Sequence, residues 1–309
     1  MGTKKRIFRS GAYNHCYQNT KEGHLLFYDA IDHLVHFSIV CICASRYNIR
    51  FVSLCQMPDH VHEGIIAENM DDLSNYKRDS SSIFVRFGQA PNCKMGPIFN
   101  MHYGSAVKKD LKSIRTNIIY LGNNPVERQL CRKAEDYRWN YLAYAKNDHP
   151  FSEPLIIRKA SAEMKKAIKE IKGTQVQQKP LSRTILKRLF RPLSHKERLQ
   201  LIDFIVCCYS VIDYTFAESL FGSHDNMIQS MKNNTGSEYD IKEVFVGRND
   251  LCYEQITNWL KRTLLFEDVH DVFALSKEDR GDLLLRIYRE TNIHPKLIAK
   301  YLRLSIIQK

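Results

Sequence analysis

Two histidines separated by a single residue, His60 and His62, are the first place in this chain where side-chain type and spacing suggest chemistry. On a strand, residues i and i+2 point to the same face. The two imidazoles would then lie side by side, at a spacing that suits two-point binding of one metal ion. By itself the pair is a weak signal. With twelve His in the chain, chance placement yields a His-x-His about half the time, and a pair of surface or core-edge histidines is the plainer reading. No Gly-rich phosphate loop, Ser-His-Asp motif or Cys/His zinc cluster accompanies it.

The surrounding pattern predicts the elements that position the pair. Residues 12–18, 50–56 and 60–66 read as strands, and Met57-Pro58-Asp59 interrupts the last two, so these should form a hairpin. Residues 27–47 carry the apolar spacing of a helix packed on the sheet. Residues 71–87 and 108–121 read as two further helices, the second stopped by Asn123-Asn124-Pro125. This mixture predicts an α+β domain over residues 1–152. Residues 156–200 are different, with thirteen Lys and Arg against three acids. That composition, with a polar stretch at 173–180, predicts a basic connector over 153–182. From 183 to 309 the pattern is almost wholly helical. Residues 283–305 resemble the opening of a helix-turn-helix, with 306–309 where a reading helix would begin, and are better read as a helical hairpin.

Lys and Arg number 46 against 34 Asp and Glu, a formal net charge of +12, which favours an anionic partner such as nucleic acid or an acidic membrane surface. At 44% hydrophobic residues the chain can bury a real core, which excludes disorder as its main state. The most apolar stretches, 34–44 and 201–212, are shorter than the roughly 20 residues that cross a bilayer. The basic start has no apolar run behind it, so the expectation is a cytoplasmic protein without a membrane span. Nine cysteines, odd in number and without a Cys-x-x-Cys pair, read as small buried hydrophobes in a reducing compartment.

Context changes the weight of the histidines. Met57-Pro58-Asp59-His60-Val61-His62 resembles the Met-Pro-Asn-His-x-His signature of the HUH-type single-tyrosine transposases, the REP-associated tyrosine transposases in particular. Gly11-Ala12-Tyr13-Asn14-His15 looks like that family's opening strand. Gly96-Pro97-Ile98-Phe99 with Tyr103 is similar to its Gly-x-x-Phe-x-x-x-Tyr element, and Tyr120 to Val126 to its Tyr-x-x-x-Asn-Pro-Val. Glu135-Asp136-Tyr137-Arg138-Trp139, with Tyr141 and Tyr144, resembles its closing block. Five ordered elements over residues 11–144 make the resemblance specific.

The resemblance implies a ferredoxin-like antiparallel sheet with helices, the HUH nuclease fold, followed by the basic linker and an all-helical C-terminal domain. It implies that His60, His62 and Asn124 bind a divalent ion, Mg²⁺ or Mn²⁺, and that Tyr120 is the nucleophile of a metal-dependent nicking and strand-transfer reaction. The substrate implied is single-stranded or hairpin DNA, and the state a monomer or homodimer. Elementary chemistry is consistent. Tyr120 and Asn124 are i and i+4, on one face of a helix, and a phenol with a reference pKa of about 10 needs a polarised target. Two imidazoles and an amide should take Mn²⁺, Co²⁺, Ni²⁺ or Zn²⁺ at least as well as Mg²⁺, which abundance favours. Lys108, Lys109, Lys112 and Arg115 lead towards Tyr120 and could hold a DNA backbone, as could Arg183, Lys187, Arg188 and Arg191 in the basic region. The rival reading is a catalytically silent DNA-binding regulator derived from such a transposase. The chain departs from the pattern at Asp59, where Asn is common, at Glu63-Gly64, where two leucines are usual, and at Glu127-Arg128 in place of Arg-Ala.

Overall fold

The alternation of short and long apolar runs resolves, in a computed structural model that describes residues 7–20, 23–88, 98–99, 103–233, 250–266 and 268–305, into four strands and eleven α-helices. Gly96, Pro97 and residues 306–309, parts of two motifs read above, lie outside the described residues. The first elements are β1 (Tyr13–Asn19), α1 (Ala30–Arg46), β2 (Arg50–Met57), β3 (His60–Ile66), α2 (Met70–Gly88), β4 (Gly104–Val107) and α3 (Leu111–Glu127). The strands pair antiparallel in the order β2-β3-β1-β4, which is the βαββαβ ferredoxin-like arrangement. The predicted α+β fold and hairpin are both present. β4 was not expected, because four small residues show no alternation. Its Gly104 lies under Tyr17, where an added Cβ would come within 2.0 Å of the ring.

Side-chain alternation assigns the two faces of the sheet. Gln56 and Glu63 point to α1 and α2. Gln56 Nε2 donates to the His33 carbonyl at 3.1 Å, and Glu63 accepts from Lys77 Nζ at 2.7 Å and from Tyr76 Oη at 3.1 Å. His60, His62 and Gly64 therefore face α3. The Glu63-Gly64 departure has a packing reason: Glu63 is a buried charge with a buried partner, and a Cβ on Gly64 would meet Tyr13 Oη at 1.8 Å and Ser53 Oγ at 2.2 Å. A leucine does not fit beneath that tyrosine.

Two boundaries differ from expectation. α3 does not stop at Asn123; it runs through Pro125 to Glu127. Proline removes one helical hydrogen bond, and it sits in the last turn, where the Asn140 side chain donates to the Gly122 carbonyl at 2.8 Å and Asn123 donates to the Met231 carbonyl at 2.8 Å. These contacts hold the turn from outside. The supposed loop at 173–180 is likewise helical as far as Val176, within α4 (Ala162–Val176). Met164, Ala167, Ile168 and Ile171 are buried while Lys165, Lys166, Lys169 and Lys172 are exposed. The basic segment is thus a packed amphipathic helix with a solvated cationic face.

The remaining helices are α5 (Arg183–Phe190), α6 (His195–Tyr209), α7 (Tyr214–Ser219), α8 (His224–Asn233), α9 (Leu251–Thr263), α10 (Lys277–Thr291) and α11 (Pro295–Tyr301). The apolar cores do not divide at residues 152 and 183. One core draws continuously on residues from Tyr13 to Met231, so α4 to α8 extend the sheet domain. A second core is formed by α9, α10 and α11 with Leu25 and Tyr28 from the loop before α1. α10 and α11 form the expected hairpin, turned at Asn292, which takes the left-handed conformation with φ of 57°.

The two cores are joined through Arg183. This residue was read as a DNA contact, and the structure corrects that reading: it is 1% exposed and bound by Asp29 at 2.9 Å, Asp32 at 2.5 Å and Asp268 at 2.5 Å. A guanidinium surrounded by three carboxylates offers nothing to a phosphate. His270 Nε2 lies 3.1 Å from Asp32 and closes the network. Burial alone would raise the Asp29 carboxyl, but Arg183 outweighs it and brings it down to about 2. Asp268 is held low by the same cation against the same penalty. A folded-state pKa below the unfolded one contributes stability above about pH 4 that is lost as pH falls towards 2. Urea melts of the wild type should therefore lose stability across this window. Arg183→Met should cost about 3–5 kcal/mol at pH 7, because it strands buried carboxylates, and should flatten or reverse the acid dependence.

Candidate metal and tyrosine centre

The β2–β3 turn is held from outside, since the N–H groups of Leu26 and Phe27 both donate to the Pro58 carbonyl, at 2.7 and 3.1 Å. β3 starts at His60, so strand alternation brings His60 and His62 to the α3 face with ring centroids 4.7 Å apart. Pairing with β1 sets Tyr17 opposite His62. α3 is started by Asp110, whose side chain accepts from the Ser113 N–H at 2.7 Å in a capping box. From that start the helix buries Asn117, Tyr120, Leu121 and Asn124, an i, i+3, i+4, i+7 stripe against the sheet.

The side chains meet at His62. Its Nε2 lies 3.3 Å from Tyr120 Oη and 3.3 Å from Asn124 Nδ2, while its Nδ1 lies 3.0 Å from His15 Nε2. Burial first, then the His60 and His15 rings and Arg128, push His62 well below the ordinary imidazole range. Burial likewise brings His15 down to about 3. Both rings are therefore neutral, and one proton serves the contact between them; with it on His62 Nδ1, donated to His15, His62 Nε2 can accept from the Asn124 amide N–H. The lone pair of His62 Nε2 then faces α3. His60 is oriented separately: its Nδ1–H donates to Asp59 Oδ1 at 2.6 Å, which leaves Nε2 buried without a hydrogen bond. Asn124 Oδ1 is also buried and without a hydrogen bond.

These are the atoms a divalent ion would take, and their state is the test of fit. A buried polar atom without a partner is costly; here His60 Nε2 and Asn124 Oδ1 are both in that state, and since the Asn124 amide presents Nδ2 to His62 Nε2, a turn of that amide would bring Oδ1 to the two imidazoles. Among the described residues no group of three His, Cys, Asp or Glu side chains could hold an ion. The candidate set is two imidazoles and an amide, and the residues present fit a divalent cation. His60, His62, Asn124 and Tyr120 are at most 4% exposed. The structure brings together all four residues named from the motif.

Sequence reasoning named His15 as part of the opening strand and Asp59 as a departure from the pattern, but missed that they orient the ligands, and missed Lys300 altogether. His15 fixes His62. Asp59 fixes His60 and is itself held by Lys300 of α11 at 2.5 Å, with Arg128 at 4.0 Å. Burial alone would raise the Asp59 carboxyl, but His60, Lys300 and Arg128 outweigh it and hold it well below the usual carboxylate range. Arg128 also reaches Asp250, at 3.4 Å. The alternation of β1 carried a signal for His15; nothing local could reveal a lysine 241 positions away.

The predicted cationic residues are scattered. Lys108 and Lys109 precede α3 rather than lying on it. Lys108 is half-buried near His15, Lys109 and Lys112 are exposed, and Arg115 leans on the Leu220 carbonyl at 3.5 Å. Lys187 pairs with Asp268 at 2.9 Å, Arg188 pairs with Glu170, and Arg191 is exposed. α5 packs on α1 and α2, so these three lie on the side of the sheet away from Tyr120. No helix among the described residues is long and apolar enough to cross a membrane.

No family model matches the chain, and no curated protein matches it. Among solved structures, that of a REP-associated tyrosine transposase bound to a REP hairpin is similar at 16% identity and a TM-score of 0.40, over 46% of this chain and 84% of that one. At that level the likeness carries no argument, and function is argued from the side chains. Mn²⁺ at a hundred times its dissociation constant should raise the unfolding free energy by about 2.7 kcal/mol, read as a shift in melting temperature. The shift should vanish in His60→Ala/His62→Ala.

Proposed function

We propose that this protein is a metal-dependent DNA transesterase of the HUH single-tyrosine type, which nicks single-stranded or hairpin DNA and can transfer the cut strand. The observation that carries the reading is the convergence of Tyr120 Oη and the Asn124 amide on His62 Nε2, each at 3.3 Å, beside the unpartnered Nε2 of His60. A phenol without acid–base neighbours is an ordinary core tyrosine; a phenol beside a cation-ready donor set is placed to attack an ester that the cation holds.

A divalent ion on His60, His62 and Asn124 would polarise a non-bridging phosphate oxygen and offset charge in the in-line transition state. The chain's own residues do the rest. Tyr120 Oη attacks phosphorus, the P–O3′ bond breaks, and the phenolic proton ends on the departing 3′ oxygen. The products are a 5′-phosphotyrosine and a free 3′-OH. Because one ester has replaced another, a second 3′-OH can reverse the step, which gives strand transfer rather than hydrolysis. The rigid helix sets the distance between nucleophile and ligand. Lys112, exposed in the first turn of α3 about 12 Å along the helix from Tyr120, and Lys109, exposed just before that helix, would hold the phosphate backbone.

One observation favours the second reading, a catalytically silent DNA-binding regulator: Tyr120 is 2% exposed, so a phosphodiester reaches it only after whatever covers it moves. Denaturing gels separate the two. Wild type incubated with labelled hairpin oligonucleotides and Mn²⁺ should give a slow, label-bearing protein band that EDTA or Tyr120→Phe abolishes, with hairpin affinity changed less than twofold by the substitution. Hairpin binding without any adduct under any metal would favour the regulator. Lys109→Ala and Lys112→Ala should each weaken binding and reduce the slope of log K against log[salt] by about 0.7, the value for one phosphate contact on single strands.

A further inference from the structure

The two carboxylate oxygens of Asp59 have different partners. Oδ1 accepts from His60 Nδ1–H at 2.6 Å, and Oδ2 is bound by Lys300 Nζ at 2.5 Å. Lys300 lies on α11, in the second core, and its ammonium also sits 5.8 Å from the Tyr253 ring of α9. Asp59 is 8% exposed and His60 4%, so the His60–Asp59 link is shielded from solvent, and the chain His60–Asp59–Lys300 runs from the candidate metal site to the C-terminal helices, where the lysine is partly exposed. A carboxylate behind a ligating imidazole sets the tautomer and the ring plane of that ligand. A carboxylate can turn about its own bond, and here Lys300 in direct contact, with Arg128 4.0 Å from the same oxygen, fixes which oxygen faces the histidine.

Resting on the metal-centre reading above, we infer that Lys300 is a positioning residue for the ion, acting through Asp59 on His60, and that the α9–α11 unit thereby controls how well the site holds its metal. The C-terminal helices then serve the centre directly, and anything that shifts α11 changes the affinity of the site. The sign of the effect is diagnostic. By charge alone, removing a cation near a site for a divalent ion should tighten binding. Loss of orientation at His60 should loosen it, as removal of outer partners of metal ligands does by 10–100-fold.

The test uses the full-length protein without DNA and Mn²⁺ as the probe, with free Mn²⁺ read by electron paramagnetic resonance. Lys300→Met should weaken Mn²⁺ binding about tenfold, while Lys300→Arg and the same-helix control Lys296→Met stay within twofold of wild type. In an Asp59→Asn background, Lys300→Met should add nothing, because the path runs through Asp59; a lysine that merely anchors α11 would weaken both backgrounds alike. If Lys300→Met melts too low to measure, nitrogen NMR of the Lys300→Gln protein should show His60 losing its single Nδ1–H tautomer. Unchanged or tighter Mn²⁺ binding in Lys300→Met overturns the inference and leaves the metal centre standing. A wild type whose Mn²⁺ binding ignores His62→Ala overturns both.

Discussion

Each of two buried imidazoles has one ring nitrogen committed to the protein, His60 Nδ1 to Asp59 at 2.6 Å and His62 Nδ1 to His15 at 3.0 Å. The rest of the site depends on those two hydrogen bonds. With Nδ1 of each ring so engaged, both Nε2 atoms are turned to the same face of the sheet, where α3 presents Asn124 and Tyr120. The strand pairing makes this possible: β3 is central, flanked by β1, which supplies His15, and by β2, whose turn carries Asp59. A shift of one residue in register would send both histidines to the α1–α2 face. Gly64, packed beneath Tyr13 and Ser53, and Glu63, paired with Lys77, favour the observed register from either side of the sheet.

The C-terminal helices are bound to this arrangement by charge as much as by apolar contact. Arg183 connects the start of α1 to Asp268, and Lys300 connects α11 to the β2–β3 turn. Both clusters are buried, and buried charges contribute geometry more reliably than net stability. Their positions matter more than their strength. Asp29 and Asp32 begin the helix behind the sheet, and Asp59 precedes the first histidine, so ion pairs tie the C-terminal unit to the sheet domain at both places.

Much of this was legible in the residues. Strand periodicity and Pro58 gave the hairpin, and the i, i+4 spacing of Tyr120 and Asn124 put a phenol and an amide on one helical face. The resemblance then joined elements that spacing alone could not bring together. What was not legible has physical reasons. Four small residues, 104–107, form a strand because β1 offers an unpaired edge, not because they alternate. Pro125 reads as a helix stop, yet contacts from Asn140 and Met231 hold the last turn around it. Arg183 looks like a DNA contact in a run of cations; only the fold reveals three aspartates around it. A dense charge run such as 156–200 does not distinguish a loose tether from an amphipathic helix until its apolar residues, Met164 to Ile171, are seen to share a face.

The account stands on an ion held by His60, His62 and Asn124 within reach of Tyr120. Crystals of the protein grown with Mn²⁺ and measured at the manganese absorption edge test that most directly. The account predicts one anomalous peak bounded by His60 Nε2, His62 Nε2 and Asn124 Oδ1, with the Tyr120 hydroxyl beside it. An ion bound elsewhere, with no peak between these three atoms, would contradict it.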